Sequence, residues 1–487
     1  MVGAAPAVAW AHGFGQRFDL PLPLWLWLSG AGATIVLTFV ALALFARQPE
    51  VPGPPVGATQ GVELLQSARA RSIAHRFAVL LRGFTGASFV LALATGFAGN
   101  QDAYANLIVT LVWVIWWVGM AFCCALVGDV WEAIDPLRSL YLAAAWTVRR
   151  LTGASRSSLG RRYPMWLGAW PAVVLFFGFA WVELIWPGKD VPRALAGAVL
   201  GYAALTWSGM FVFGVEPWRR NADAMALALR VLGGFAPLRV RSSTLHEPAS
   251  LRLRPYAAGL LIRDTVPWSV VVFVLLMLAT VTFDGFGETP LMQAIETAAQ
   301  TSRAVALLLF ELSLWGLAEN QAVHGALLLL FPLGFVAAFW IASALMVRLA
   351  RRGAASRREA REAAGSFVLS LVPIAVAYHL SHYFSLLVTT GQFIVPLASD
   401  PFGWGWDLFG TRDYKVDLGL LSPYVYWYGS VLLIVAGHVL AVVVAHVQAQ
   451  RLFPGHGAAL RSQLPMIALM VAYTSLSLWI LAQPIVG

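Results

Sequence analysis

Ten apolar runs, near residues 25–45, 78–98, 104–127, 168–187, 193–214, 265–284, 322–347, 366–390, 424–448 and 464–483, constrain this chain more than any other feature. Most reach the roughly 18 residues that mark a membrane-spanning helix. They are continuous and do not alternate with period two, which argues against an outer-membrane barrel. Of 487 residues, 59% are hydrophobic and only 12% are charged, whereas soluble domains carry about 25% charge. A soluble enzyme, a disordered chain and a disulfide scaffold are excluded. The expected fold is all-α, a single polytopic helical bundle over 1–487. Cys123 and Cys124 are adjacent inside an apolar run and are read as small packing residues, with no redox or zinc pairing.

The basic residues orient the bundle. The net charge of +9 comes from arginines concentrated in 46–77, 128–167, 215–264, 348–365 and 449–463. The alternate connections hold only Arg17, Lys189, Arg193, Arg303, Arg412 and Lys415. The positive-inside rule places the arginine-rich loops in the cytoplasm and both termini outside it, including the outer segment 1–24. The charge thus reports on the lipid bilayer as partner and not on nucleic acid. An eleventh run, 304–318, cannot cross without inverting every later loop, so it is expected to be a re-entrant or interfacial helix on the outer side. Amphipathic stretches 136–151 and 221–236 are expected on the cytoplasmic leaflet or docked beneath the bundle. Residues 49–58 read as a linker. Gly197 and Gly201 form a small-xxx-small pattern suited to close helix packing. Ala9-Trp10-Ala11 before His12 resembles a signal-cleavage site, but no basic segment precedes it, and a misplaced start or an uncleaved tail is the expectation.

Walker A, HExxH, GxSxG and GxGxxG motifs are absent, so any chemistry must come from polar groups within the bundle. His379 and His382 lie one turn apart on one helix face. His438 falls at similar depth on the next helix, and His446 lies about 12 Å deeper. Three imidazoles with an open position suit a divalent metal ion (Zn, Cu or Fe). Two histidines on different helices suit haem b, and interhelical hydrogen bonding accounts for the same residues without a cofactor. Glu183 lies within its span, and Asp284 closes another, with Glu288, Glu311, Glu319 and His324 near the same face. Glu183 is a candidate ligand or base. The Gly- and aromatic-rich loop 391–423 carries Asp400 and Asp407 around Trp404 and Trp406. It reads as a lid over an outward-facing pocket, or as an interfacial aromatic belt.

The segments HGFGQRFDLPLPLWLWLSGA (12–31), WPAVVLFFGFAWVELIWP (170–187), AYHLSHYFSLLVTTGQFIVPLASDPFGWGWDLFGT (377–411) and QLPMIALMVAYTSLSLWILAQPIV (463–486) carry a resemblance. The chain resembles a family of bacterial polytopic membrane proteins, some members of which are labelled fenitrothion hydrolase, an organophosphate triesterase. The resemblance implies a multi-pass protein of the bacterial cytoplasmic membrane acting on an apolar small-molecule substrate. On this reading His379, His382 and His438 hold a metal, Glu183 or Asp400 positions water, and 391–423 gates entry. The alternatives are a transporter or channel for a small solute or metal ion, a haem redox protein, and a non-catalytic membrane subunit.

Overall fold

A computed structural model describes residues 22–45, 61–153, 157–241, 250–261, 265–417 and 419–486. The 49–58 linker and the segment around His12 lie outside the described residues. The architecture is an all-α polytopic bundle, and among the described residues nine helices are long and apolar enough to cross a membrane. These are α1 (Leu24–Phe45), α2 (Ala68–Ala98), α3 (Leu107–Leu126), α6 (Pro192–Phe213), α8 (Trp268–Gly287), α11 (Glu319–Arg351), the long segment Arg357–Ser399, and the two C-terminal helices α14 (Pro423–Leu452) and α15 (His456–Val486). Within Arg357–Ser399, α12 (Arg357–Phe367) leads into α13 (Val372–Thr389). The tenth expected crossing, 168–187, is the 15-residue α5 (Trp170–Leu184). At about 1.5 Å per residue it spans roughly 22 Å, less than a full hydrocarbon core.

These segments are helical despite many β-branched residues, as in the VVVFVLLMLATVTF core of α8. In lipid, a spanning segment must satisfy its own backbone donors and acceptors, and this outweighs intrinsic propensity. The ends follow capping chemistry. Ser422 accepts from Val425 N at 3.3 Å, with Pro423 in the first turn of α14.

The shorter helices answer the remaining expectations. The 304–318 run forms α10 (Arg303–Leu314), preceded by α9 (Pro290–Thr301). Twelve residues cover about 18 Å, too little to span. Of the two amphipathic stretches, α4 (Pro136–Thr152) exposes Leu142, Trp146 and Leu151, as a surface helix should. The other, α7 (Ala224–Gly233), does not lie on a leaflet. Its Leu227, Ala228, Leu229 and Leu232 are all buried, packed with α3 and α5.

Gly197 and Gly201 also depart from expectation, since a Cβ at either position would meet nothing within 4 Å. The close approach is one residue away, where a Cβ on Gly96 of α2 would sit 2.6 Å from the Ala196 Cβ of α6.

At the arginine-rich end, β1 (Val62–Glu63), β2 (Leu238–Arg241) and β3 (Ser250–Leu253) form a small antiparallel sheet in the order β1-β3-β2. Glu63 pairs with Arg252 across it at 3.1 Å.

Candidate functional site: an acid, an imidazole and a phenol on one carboxylate oxygen

Three parallel helices, α5, α8 and α13, bring titratable groups together at the end of the bundle opposite the arginines. Asp284 sits in the last turn of α8. Its Oδ2 meets His382 Nε2 at 2.9 Å and accepts from Tyr383 OH at 2.7 Å. His382 is stacked parallel to Tyr378, with ring centroids 5.8 Å apart. Glu183 on α5 interacts electrostatically with Asp284 and with Lys189. Lys189 Nζ also donates to the Glu183 carbonyl at 2.8 Å. Two carboxylates, an imidazole and a phenol thus share one partly buried neighbourhood. Such a unit can take up and release protons.

Glu183 and His382 each interact with Asp284, and the rest of the expected histidine set does not join them. His379 points its ring toward Trp117, Phe122 and Tyr383, at centroid distances of 5.8, 5.9 and 4.7 Å. His438 donates Nδ1–H to its own helix at Ile434 O, 2.8 Å away, and its ring lies 6.4 Å from that of Tyr473. Among the described residues, no three His, Cys, Asp or Glu side chains are placed to hold a metal ion. The three rings face different neighbours.

A haem between α13 and α14 does not fit either. A Cβ on Gly437 would lie 2.3 Å from the Ala377 Cβ and 2.7 Å from the Pro373 carbonyl. The two helices touch beside His438 and leave no slot for a macrocycle at that level. His446 is a satisfied structural residue, bonded to Gln463 Oε1 at 3.0 Å and to Gln450 Nε2 at 2.9 Å.

Asp400 is spent on its own loop, where its two oxygens accept from Trp404 N (2.9 Å) and Gly405 N (2.6 Å). Asp407 likewise accepts from Arg412 N at 3.1 Å. Over 391–417 the loop is built and not structureless. Its Phe402 carbonyl accepts from Asn100 N at 2.7 Å, and its Pro401 carbonyl from Leu107 N at 3.2 Å, which pins it to the α2–α3 turn. Trp404 and Trp406 are exposed, as an interfacial belt requires. Glu311 and Glu319 are exposed, and His324 pairs with Glu296.

Sequence reasoning passed over Asp284 as a helix end and did not single out Tyr383. The available signal was a lone carboxylate closing a run with no other charge from Trp268 to Phe283. A second polar assembly, at the arginine-rich end, was also missed. Arg219 is 2% exposed and binds Asp135 Oδ2 at 2.9 Å and Glu132 Oε2 at 3.0 Å. Burial works against its charge, yet Asp135 and Glu132 outweigh that and hold its proton more tightly than usual. Asp223 accepts from Tyr202 OH at 2.7 Å and from Ala226 N at 3.1 Å, capping α7. Burial raises its carboxyl above the usual range, with Asp135 adding to the effect.

No protein-family model, no curated protein and no solved structure matches this chain.

Proposed function

We propose that this protein is a multi-pass membrane hydrolase in which Asp284 and His382 act together as a general base on an apolar ester. Phosphotriesters of the fenitrothion kind are the substrate class the sequence resemblance implies. The observation that carries the reading is the single carboxylate oxygen of Asp284 bonded to both His382 Nε2 and Tyr383 OH. Among the described residues no three His, Cys, Asp or Glu side chains are placed to hold a metal ion, which supports giving the activation of water to these protein groups. Water attacks phosphorus as its proton passes to the His382–Asp284 pair, a P–O bond to the aryl group breaks, and the phenolate leaves. A nitrophenolate needs no strong acid to depart. Glu183 and Lys189 set the charge around the pair. In the proposed topology the pair lies in the outer half of the bacterial cytoplasmic membrane, where an apolar triester arrives from the bilayer.

The test is turnover of a dialkyl nitrophenyl phosphate by detergent-purified protein, followed by nitrophenolate absorbance. Wild type is expected to turn over and to keep its rate in the presence of a chelator, and His382→Asn to lose it by about 10²–10⁴-fold. Absent turnover in folded wild type, or an equal rate in His382→Asn, contradicts the reading.

A further inference from the structure

The segment that runs from the Arg219 assembly to α5 differs from the rest of the arginine-rich end. From Pro136 to Val182 the sequence holds six arginines and no acidic residue. Arg138 is bonded to Glu216, and Arg156 lies outside the described residues. Arg149, Arg150, Arg161 and Arg162 are exposed and form no ion pair among the described residues. The base of α4 is fixed to α2, where Arg82 Nε donates to the Ala133 carbonyl and Thr85 Oγ1 to that of Ile134, each at 2.7 Å. Gly153, at φ +70°, ends the helix. Beyond it, Tyr141 OH donates to the Ser157 carbonyl at 2.6 Å, while Leu159 N and Arg161 N donate to the Phe211 and Val212 carbonyls of α6 at 2.8 and 3.0 Å. The 157–168 segment is thus tied both to α4 and to the end of α6.

Here the arginines are interleaved with exposed apolar bulk. Trp146 and Leu151 are exposed, and Met165 and Trp166 are 91% and 81% exposed. The Arg150 guanidinium lies over the Trp146 ring, 5.9 Å from its centroid. Tryptophan is favoured at the membrane–water interface, where its ring sits at headgroup level. The same surface adjoins α2, whose Phe77, Leu80 and Phe84 are exposed as a lipid-facing side requires. The two helices meet where a Cβ on Gly86 would lie 3.5 Å from the Leu140 side chain. Continuity with the lipid face of a spanning helix favours a lipid over a soluble protein as the partner. Four guanidiniums without a carboxylate favour an anionic headgroup, whose phosphate oxygens match the planar donor fork of arginine.

We propose that the last two turns of α4 and the 157–168 segment bind the headgroup of an anionic phospholipid, with Arg149, Arg150, Arg161 and Arg162 as its counter-charges and Trp146 and Trp166 seated at headgroup level. The site lies at the end of the bundle opposite the Asp284–His382 pair. It needs no ester and stands apart from the hydrolase reading.

The experiment is native mass spectrometry of the detergent-purified full chain, titrated separately with phosphatidylglycerol, phosphatidylcholine and inorganic phosphate. Each arginine at an anionic surface contributes up to about fivefold. Wild type is therefore expected to prefer phosphatidylglycerol over phosphatidylcholine by about 100-fold. Arg161→Gln with Arg162→Gln should lower the preference to about tenfold, and adding Arg149→Gln and Arg150→Gln should bring it to about one. The double variant keeps the test open should the quadruple one fail to insert. Arg357→Gln with Arg358→Gln, exposed on α12, is the control and should leave the preference unchanged. Equal affinity for the two lipids in wild type, an unchanged preference in the arginine variants that insert, or an equal fall in the control overturns the proposal. Inorganic phosphate bound as tightly as phosphatidylglycerol also overturns it, assigning the arginines to a soluble anion instead.

Discussion

The two ends of the bundle bury charge in different ways. At the arginine-rich end, Arg219 is clamped between Asp135 and Glu132, and Arg138 Nη2 reaches Glu216 at 3.0 Å. Guanidinium does not titrate at any relevant pH, so this assembly is a lock. It fastens the segment leading into α7 to the base of α4, where Asp135 also caps the helix through Arg138 N at 3.1 Å. At the opposite end, Asp284 is bonded to an imidazole and a phenol, and the proposed chemistry uses this pair to move protons. Charge paired with arginine gives rigidity, whereas charge paired with histidine and tyrosine gives chemistry.

The sharpest way to break this contrast is to remove one charge from each end. Asp284→Asn should lower kcat by about 10²–10⁴-fold while the protein elutes and melts like wild type. Arg219→Ala should do the reverse. It strands Asp135 and Glu132 and should destabilise the fold by about 3–5 kcal/mol, with kcat per folded molecule retained. Thermal unfolding in detergent beside single-turnover assays checks both. A large stability loss in Asp284→Asn, or a large kcat loss in folded Arg219→Ala, would merge the two ends into one site.

Asp129 refines the comparison because it belongs to the lock by position but titrates. Its carboxyl is raised from 3.8 to about 6, so the folded state holds a proton that the unfolded chain has released. Stability therefore falls as pH climbs through this window and stays lower above it. Asp129→Asn should abolish that slope and raise stability above pH 6 by roughly 1 kcal/mol after solvent screening. Melting temperature against pH is the readout, and an unchanged slope counts against the assignment. The smallest effect is expected from Gly197→Ala with Gly201→Ala, about 0.5 kcal/mol or less, since both positions open onto free space. A large loss there would show a partner surface on α6.

Much of the fold is legible in the chain. Apolar run length locates the spans, and even the short α10 follows from the loop-charge parity. The placement of α7 is not legible, because an amphipathic decapeptide reads alike whether its apolar face meets lipid or the bundle interior. The site is half legible. Glu183 and the His379–His382 pair stand out as polar groups in apolar helices. Asp284 and His382, 98 residues apart, meet only once α8 and α13 are set side by side in parallel. Depth arithmetic groups His438 with His379 and His382, but its ring lies instead beside that of Tyr473. The close approach of Gly437 to Ala377 beside it is a contact that no single-helix periodicity encodes. Winding matters too: α3 is π-wound from Thr110 to Gly119, so a 3.6-residue period does not tell which neighbours Trp117 meets there.

The central claim is that the Asp284–His382 pair exchanges protons. Infrared pH-difference spectroscopy on purified protein tests it without assuming a substrate, by following the carboxyl C=O stretch. The account predicts a protonation band in wild type that disappears in Asp284→Asn and moves in His382→Asn. A band unchanged in both variants would place the titrating carboxyl elsewhere and contradict the account.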